Sequence, residues 1–169
     1  MQSVRSSATH PLDIFFRHNL WSNLELFDAC LALDDDQLAY SAEGTFGSIR
    51  STLAHITFAE ERYIYHITSG KQSADAQKPT AATTLTEMRS RVAASGAALL
   101  QLATTVDGST RVRIGADDDA FEISIEALLL QVIHHATEHR TQIESMLGQL
   151  GIEPPGLSAW RYFDEQIGR

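Results

Sequence analysis

Cysteine is nearly missing from this 169-residue chain, Cys30 being the only one. A lone thiol excludes an internal disulfide framework and suits a reducing compartment. Cys30 lies in the apolar run Leu26 to Leu33, where a packed thiol is expected rather than a nucleophile. Cations are scarce too: 13 Lys and Arg stand against 22 Asp and Glu, for a formal charge of −9. Phosphate binding relies on clustered basic residues, so this balance argues against nucleic acid and against an anionic membrane surface. No apolar run approaches the length of a membrane span, and the opening MQSVRSSATH lacks the apolar core of a secretory signal. The expected address is the cytoplasm. No repeat of solenoid length is present. The 43% hydrophobic and 21% charged residues are ordinary for a globular protein, and the length predicts one domain over residues 1–169.

What the chain does have is histidine in a telling position. The stretch Leu128 to Leu147, LLLQVIHHATEHRTQIESML, has helical periodicity. Residues four apart on a helix differ by about 40° in direction and about 6 Å in height. His135 and His139 therefore look the same way, on a stripe shared with Leu128, Val132 and Met146 and flanked by Ala136 and Ile143. Gln131, Glu138 and Gln142 lie on the other flank, within reach of whatever the histidines hold. Inward imidazoles need a partner for each nitrogen, and two charged rings side by side would repel. Neutral rings sharing a divalent metal satisfy both demands, and buried hydrogen bonds are the alternative.

Upstream, Pro11 suits a first helical turn, and Leu12 to Leu33 reads as a long helix with Leu12, Phe15, Phe16, Leu20, Leu24, Phe27 and Leu31 on its apolar face. Residues 1–9 read as a frayed terminus, and His10 and His18 as surface or edge histidines. Asp34, Asp35 and Asp36 lack EF-hand spacing and read as a solvated linker. Thr45 or Ser48 is a candidate N-cap for a second long helix, Ser48 to Thr68, with Gly70 as its stop. That helix carries His55 on the border of its inward face, and His66 shares the direction of His55. The two stand about 16 Å apart along the axis, too far to serve one small metal site, and spacing alone does not choose between them. Arg62 lies near the same stripe, placed to meet an acidic substrate or a carboxylate.

Lys71 to Thr83 reads as a polar loop. Thr84 and Glu87 match a capping box for a third helix reaching about Thr104, a packing element. Between Val106 and Ser124 the period changes to alternation: Val112 and Ile114, then Phe121, Ile123 and Ile125, predict a hairpin around the turn from Gly115 to Ala120. The last long helix ends near Gly148 or Gly151, before Pro154 and Pro155. The tail from Leu157, with Trp160, Tyr162 and Phe163, is expected to pack back as a short helical turn. The fold class is all-α: a four-helix bundle with a small β-hairpin before the last helix.

Three pieces carry a family resemblance: TFGSIRSTLAHI at Thr45 to Ile56, HATEHRTQI at His135 to Ile143, and an opening helix with Asn19, Leu20 and Trp21. Together they resemble the DinB/YfiT-like family of bacterial metal-binding four-helix bundles. The second piece is similar to that family's H-x-x-x-H-R-G-Q pattern, with Thr141 where glycine is usual. The likeness runs in order from roughly Phe15 to Leu150. It implies a three-histidine metal site, His55, His135 and His139. It selects His55 over His66 because the histidine after S-I-R-x-T-L-x-H is the ligand in such proteins. His134 is not carried over. Thr141 falls opposite the metal stripe, where it is expected to disturb helix packing rather than ligation.

The resemblance also implies chemistry. Three imidazoles with a vacant fourth position suit a reactive divalent ion, zinc or nickel, rather than a structural one. Branches of the family use bacillithiol, mycothiol or a related low-molecular-weight thiol as cosubstrate for transfer to an electrophile, or isomerise maleylpyruvate; others resemble hydrolases. The expectation is a metal-dependent thiol S-transferase-like enzyme or hydrolase acting on a small molecule, as a homodimer. The alternative is a non-catalytic metal- or ligand-binding stress-response module. The resemblance carries no implication of DNA binding.

Overall fold

The structure, a computed structural model, describes residues 10–69, 77–115 and 117–168. Four long helices dominate it: α1 (Pro11–Cys30), α3 (Ile49–Ser69), α4 (Leu85–Thr105) and α5 (Ile125–Gln149). Short helices α2 (Asp35–Ala39) and α6 (Ala159–Phe163) flank them, and strands β1 (Arg111–Ile114) and β2 (Phe121–Ser124) form the hairpin. The expected frayed terminus, the stop at Gly70 and the first part of the loop, Lys71 to Ala76, lie outside the described residues.

Local chemistry sets the helix ends. His10 Nδ1 accepts from the Leu12 amide at 3.2 Å, and Pro11, needing no amide partner, opens α1. Thr84 and Glu87 form the expected reciprocal capping box of α4. Ser124 caps α5, so Ile125, expected as the last alternating strand residue, is instead the first residue of that helix. At its other end the Ile152 amide reaches the Leu147 carbonyl at 2.9 Å and the Gly151 amide reaches Gly148 at 3.0 Å. Gly151, at φ 74°, supplies the left-handed turn that this closure requires. The acidic triplet is not a mere linker: Asp34 and Gln37 make a second capping box, and Asp35 and Asp36 open α2 near its positive end.

Within the bundle α1 packs on α4 and α5, and α3 packs on the same two, so α1 and α3 face each other diagonally. One half of the core gathers Leu26, Phe27, Leu53, Ile56, Met88, Ile143 and Met146. The other gathers Phe16, Ile67, Leu99, Leu128, Leu129 and Val132. Following the numbers, α1 and α5 run from the second half to the first, and α3 and α4 run the other way. α3 and α4 therefore run parallel, both starting at the same end of the bundle. The hairpin pairs Arg111 with Ser124 through Ile114 with Phe121 and leans on α3 and α5, which a two-strand ribbon needs for stability.

The apolar face expected for α1 is only partly correct. Phe15 and Leu31 are exposed at 56% and 43%, while Asn19, Ser22 and Asn23 are buried. A polar layer between the two apolar halves is the reason. Glu60 of α3 sits there fully enclosed, accepting at Oε1 from Asn19 Nδ2 at 3.1 Å and Asn23 Nδ2 at 2.8 Å, and at Oε2 from Ser95 Oγ at 2.6 Å. Arg140 Nη1 donates to the Oδ1 atoms of the same two asparagines at 2.8 and 2.7 Å, and Nη2 donates to Thr137 Oγ1 at 3.0 Å. The two amides thus bridge a buried cation and a buried carboxylate, and every long helix contributes to the layer. Burial lowers Arg140 to about 10, against the pull of Glu60 and Glu144, so it remains a cation at neutral pH. Burial likewise raises the Glu60 carboxyl, opposed by the bond from Ser95, then Asn19, the Arg140 charge and Asn23.

Cys30 is buried, and burial raises its thiol to about 12, consistent with a packing role. Thr141 does not disturb packing: it is exposed, with Oγ1 donating to the Thr137 carbonyl at 2.9 Å, because that side of α5 faces solvent. In the tail Tyr162 is buried as expected, but Trp160 is 75% exposed, its ring outside the packed turn.

Candidate metal centre

The packing of α3 on α5 brings His55 against His135 and His139. Ring centroids are 4.8 Å apart for His55 and His135, 4.7 Å for His55 and His139, and 4.4 Å for His135 and His139. One ligating nitrogen from each ring falls within 4.8 Å of the other two, and the Nε2 atoms of His55 and His135 are 2.8 Å apart. Around a tetrahedral ion with metal–nitrogen bonds near 2 Å, nitrogens lie about 3.3 Å apart. The His55–His135 pair is somewhat closer than that and the His139 donor lies within 4.8 Å of both, an arrangement that could hold one divalent cation. Two imidazole nitrogens at 2.8 Å share either a proton or a cation.

His139 is held from behind. Its Nδ1 lies 3.0 Å from Gln142 Oε1, which also accepts the Phe46 amide at 3.2 Å. An amide oxygen only accepts, so the ring proton belongs on Nδ1 and Nε2 is left with its lone pair toward the cluster. Phe46 stacks on His55 with centroids 4.0 Å apart and meets His139 edge-on at 5.3 Å. The loop before α3 therefore covers one side of the cluster, pinned through the same glutamine that orients His139. Tyr63 meets His135 edge-on at 5.9 Å and is bonded to Gln131.

Burial, followed by the charges of His139 and His55, lowers His135 to about 4. Burial also lowers His55, followed by the charges of His139, Lys78 and Arg62. Both rings are therefore neutral, metal-ready donors near pH 7. For His135 the folded value lies below the unfolded one near 6.5, so its contribution to stability is present above pH 6.5 and is lost as pH falls toward 4. In metal-free protein, urea titrations at pH 7, 6 and 5 should show stability falling with pH, by at most about 1.4 kcal/mol per pH unit per proton taken up. His135→Gln should flatten the part of that slope due to this ring; an unchanged slope would contradict the lowered value.

Of the residues singled out in the sequence, the structure gathers His55, His135 and His139. His66 lies elsewhere on α3, and His134 is exposed. Gln142 and Gln131 reach the cluster or its neighbour Tyr63, whereas Glu138 is exposed and has no hydrogen bond to the histidines among the described residues. His10 caps α1, and His18 is a half-buried edge histidine bonded to the Leu157 carbonyl at 3.0 Å. Sequence reasoning passed over Phe46 and the Glu60–Arg140 layer. The one available signal was a charged residue on each inward stripe: Glu60 follows Ile49, Leu53 and Ile56, and Arg140 precedes Ile143.

A bundle of four long helices with three imidazoles converging between two of them defines a class: helical proteins whose core-side histidines can hold a metal ion. Within that class, the chain belongs to the DinB family, whose model matches residues 6–168, nearly its full length. Comparison with curated proteins finds no match.

Proposed function

We propose that the chain holds a divalent cation, zinc or nickel, on His55, His135 and His139 and works as a metal-dependent enzyme. Its reaction class is transfer of a low-molecular-weight thiol to a small electrophile, or hydrolysis. The observation carrying this reading is the convergence of three imidazoles, two of them held neutral by burial, beside an open cavity of about 380 Å³. Such a cation supplies Lewis acidity toward a thiol or a water in its remaining position. The protein's own groups do the rest. Gln142 fixes the His139 tautomer, Phe46 shields the cluster from bulk water, and Arg62 and Lys78 line the cavity where a substrate would lie.

The reading includes a cytoplasmic address, for which the lone buried thiol speaks, and a homodimer, for which the exposed Phe15, Trp160 and Phe163 speak. Among the described residues no helix is long and apolar enough to cross a membrane.

The test is a screen of metal-loaded, untagged protein with low-molecular-weight thiols and an electrophile such as monochlorobimane, together with ester and amide substrates. Thiol-dependent or hydrolytic turnover that disappears on chelation and returns with metal is the expected result. Metal retention without turnover would instead leave a metal-holding binding module.

A further inference from the structure

The cavity beside the histidines has features that metal holding does not use. Its wall follows one stripe of α3, from His55 through Ala59 and Arg62 to His66, and Lys78 enters from the loop before α4. Five other arginines, Arg17, Arg89, Arg91, Arg111 and Arg161, each hold a carboxylate. Arg62 and Lys78 form no ion pair among the described residues, although acids outnumber bases 22 to 13 in the chain. Arg62 lies over the Phe58 ring at 5.6 Å, which positions its guanidinium without neutralising it.

His66 is the second observation. It is only 2% exposed, lines the cavity, and neither ring nitrogen has a hydrogen-bond partner among the described residues. A buried polar group without a partner bears the whole loss of its hydration, so such a group beside a cavity calls for a ligand atom. The rest of the lining is apolar and aromatic, with Phe58, Tyr63 and Ile114.

We propose that this cavity binds a small aromatic or similarly apolar carboxylic acid, its carboxylate drawn to Arg62 and Lys78 and a second polar group meeting His66. This names a substrate class for the reaction proposed above and rests on that reading for its role in catalysis. The binding itself does not require the metal. An acid lying along the α3 stripe has its carboxylate at Arg62 and its far polar group at His66, about 6 Å further along the helix axis, with the three histidines beyond the carboxylate end. Two cations on an apolar wall select an anion with an apolar body over its neutral isostere.

Binding is tested on metal-free protein, where no cation can capture a carboxylate, with 4-hydroxyphenylacetate as probe and its neutral amide as control. Calorimetry should show the acid binding about tenfold or more tightly than the amide, the preference expected of charge-assisted bonds. Arg62→Gln combined with Lys78→Gln, both at the cavity wall, should remove that preference. The His66 ring resonances should shift on adding the acid, and His66→Phe should weaken it severalfold. Equal binding of acid and amide, a preference that survives the double substitution, unmoved His66 resonances or no binding of the acid would each overturn the proposal. Because the probe is read without metal, loss of this proposal leaves the metal reading standing, and the reverse also holds.

Discussion

Replacing His139 with alanine should abolish retention of the divalent cation. His139 is the best-positioned of the three candidate donors: 7% exposed, packed in the α5 face, with Nδ1 taken by Gln142 so that Nε2 faces the other rings. Removing it leaves two donors, and two imidazoles hold a divalent ion far less well than three with a settled geometry. Elemental analysis of untagged protein should fall from about one ion per chain to background. A thermal readout should agree. A ligand at a hundred times its Kd stabilises the native state by about 2.7 kcal/mol, and that gain should vanish in the variant. Gln142→Ala, which frees the ring without removing it, should weaken metal affinity by about 10–100-fold. His66→Ala should leave metal retention unchanged, since that ring lies well along α3 from the cluster. Equal metal content in wild type and His139→Ala would end the assignment.

Breaking the polar layer should produce the largest loss of stability in the molecule. Arg140→Met leaves Glu60 enclosed without its cation, and Glu60→Gln leaves buried Arg140 with the charge of Glu144 alone to oppose it. The two charges meet through the asparagine amides rather than directly. The cost of breaking a buried ion pair, about 3–5 kcal/mol, is therefore the upper end expected here, still a large share of the about 5–15 kcal/mol typical of a folded domain. The amide bridges sharpen the effect, because Asn19 and Asn23 each donate to Glu60 and accept from Arg140, so neither can turn to satisfy a changed partner. Replacing both charges, Glu60→Leu with Arg140→Met, should recover much of the loss, since a hydrophobic exchange removes the desolvation problem altogether. Urea denaturation of the two single variants and the double variant checks this. Single substitutions costing under about 1 kcal/mol would show that the layer carries little net energy. Because Arg140 follows His139 directly on α5, the layer also fixes the rotation of the helix that presents two of the three histidines.

The two predictions draw on different parts of what could be read in the chain. The helices and the capping box at Thr84 and Glu87 were legible because they arise from residues within a few positions of one another. So was the facing of His135 and His139, a consequence of helical geometry. The hairpin was legible from its alternation, although its boundary at Ile125 was not, because Ser124 serves as a helix cap at the point where the strand pattern could have continued. The acidic triplet misled for a related reason: its like charges suggested solvated chain, and the capping role of Asp34 depends on Gln37 folding back.

By itself, the sequence determined the periodic faces, the helix ends and a pair of like-facing imidazoles, all of which depend on bonds and spacings within one element. Spacing left open which histidine of α3 meets that pair, and the family resemblance pointed to His55. Only the tertiary structure brought the three together, folded Phe46 over them, and joined Glu60 to Arg140 through two asparagines of α1. Those contacts join residues separated by tens to more than a hundred positions, and their partners are set by how whole helices pack. The energy that makes a buried carboxylate tolerable, or three imidazoles a site, comes from a neighbour on another helix, and no periodicity along a single helix names that neighbour.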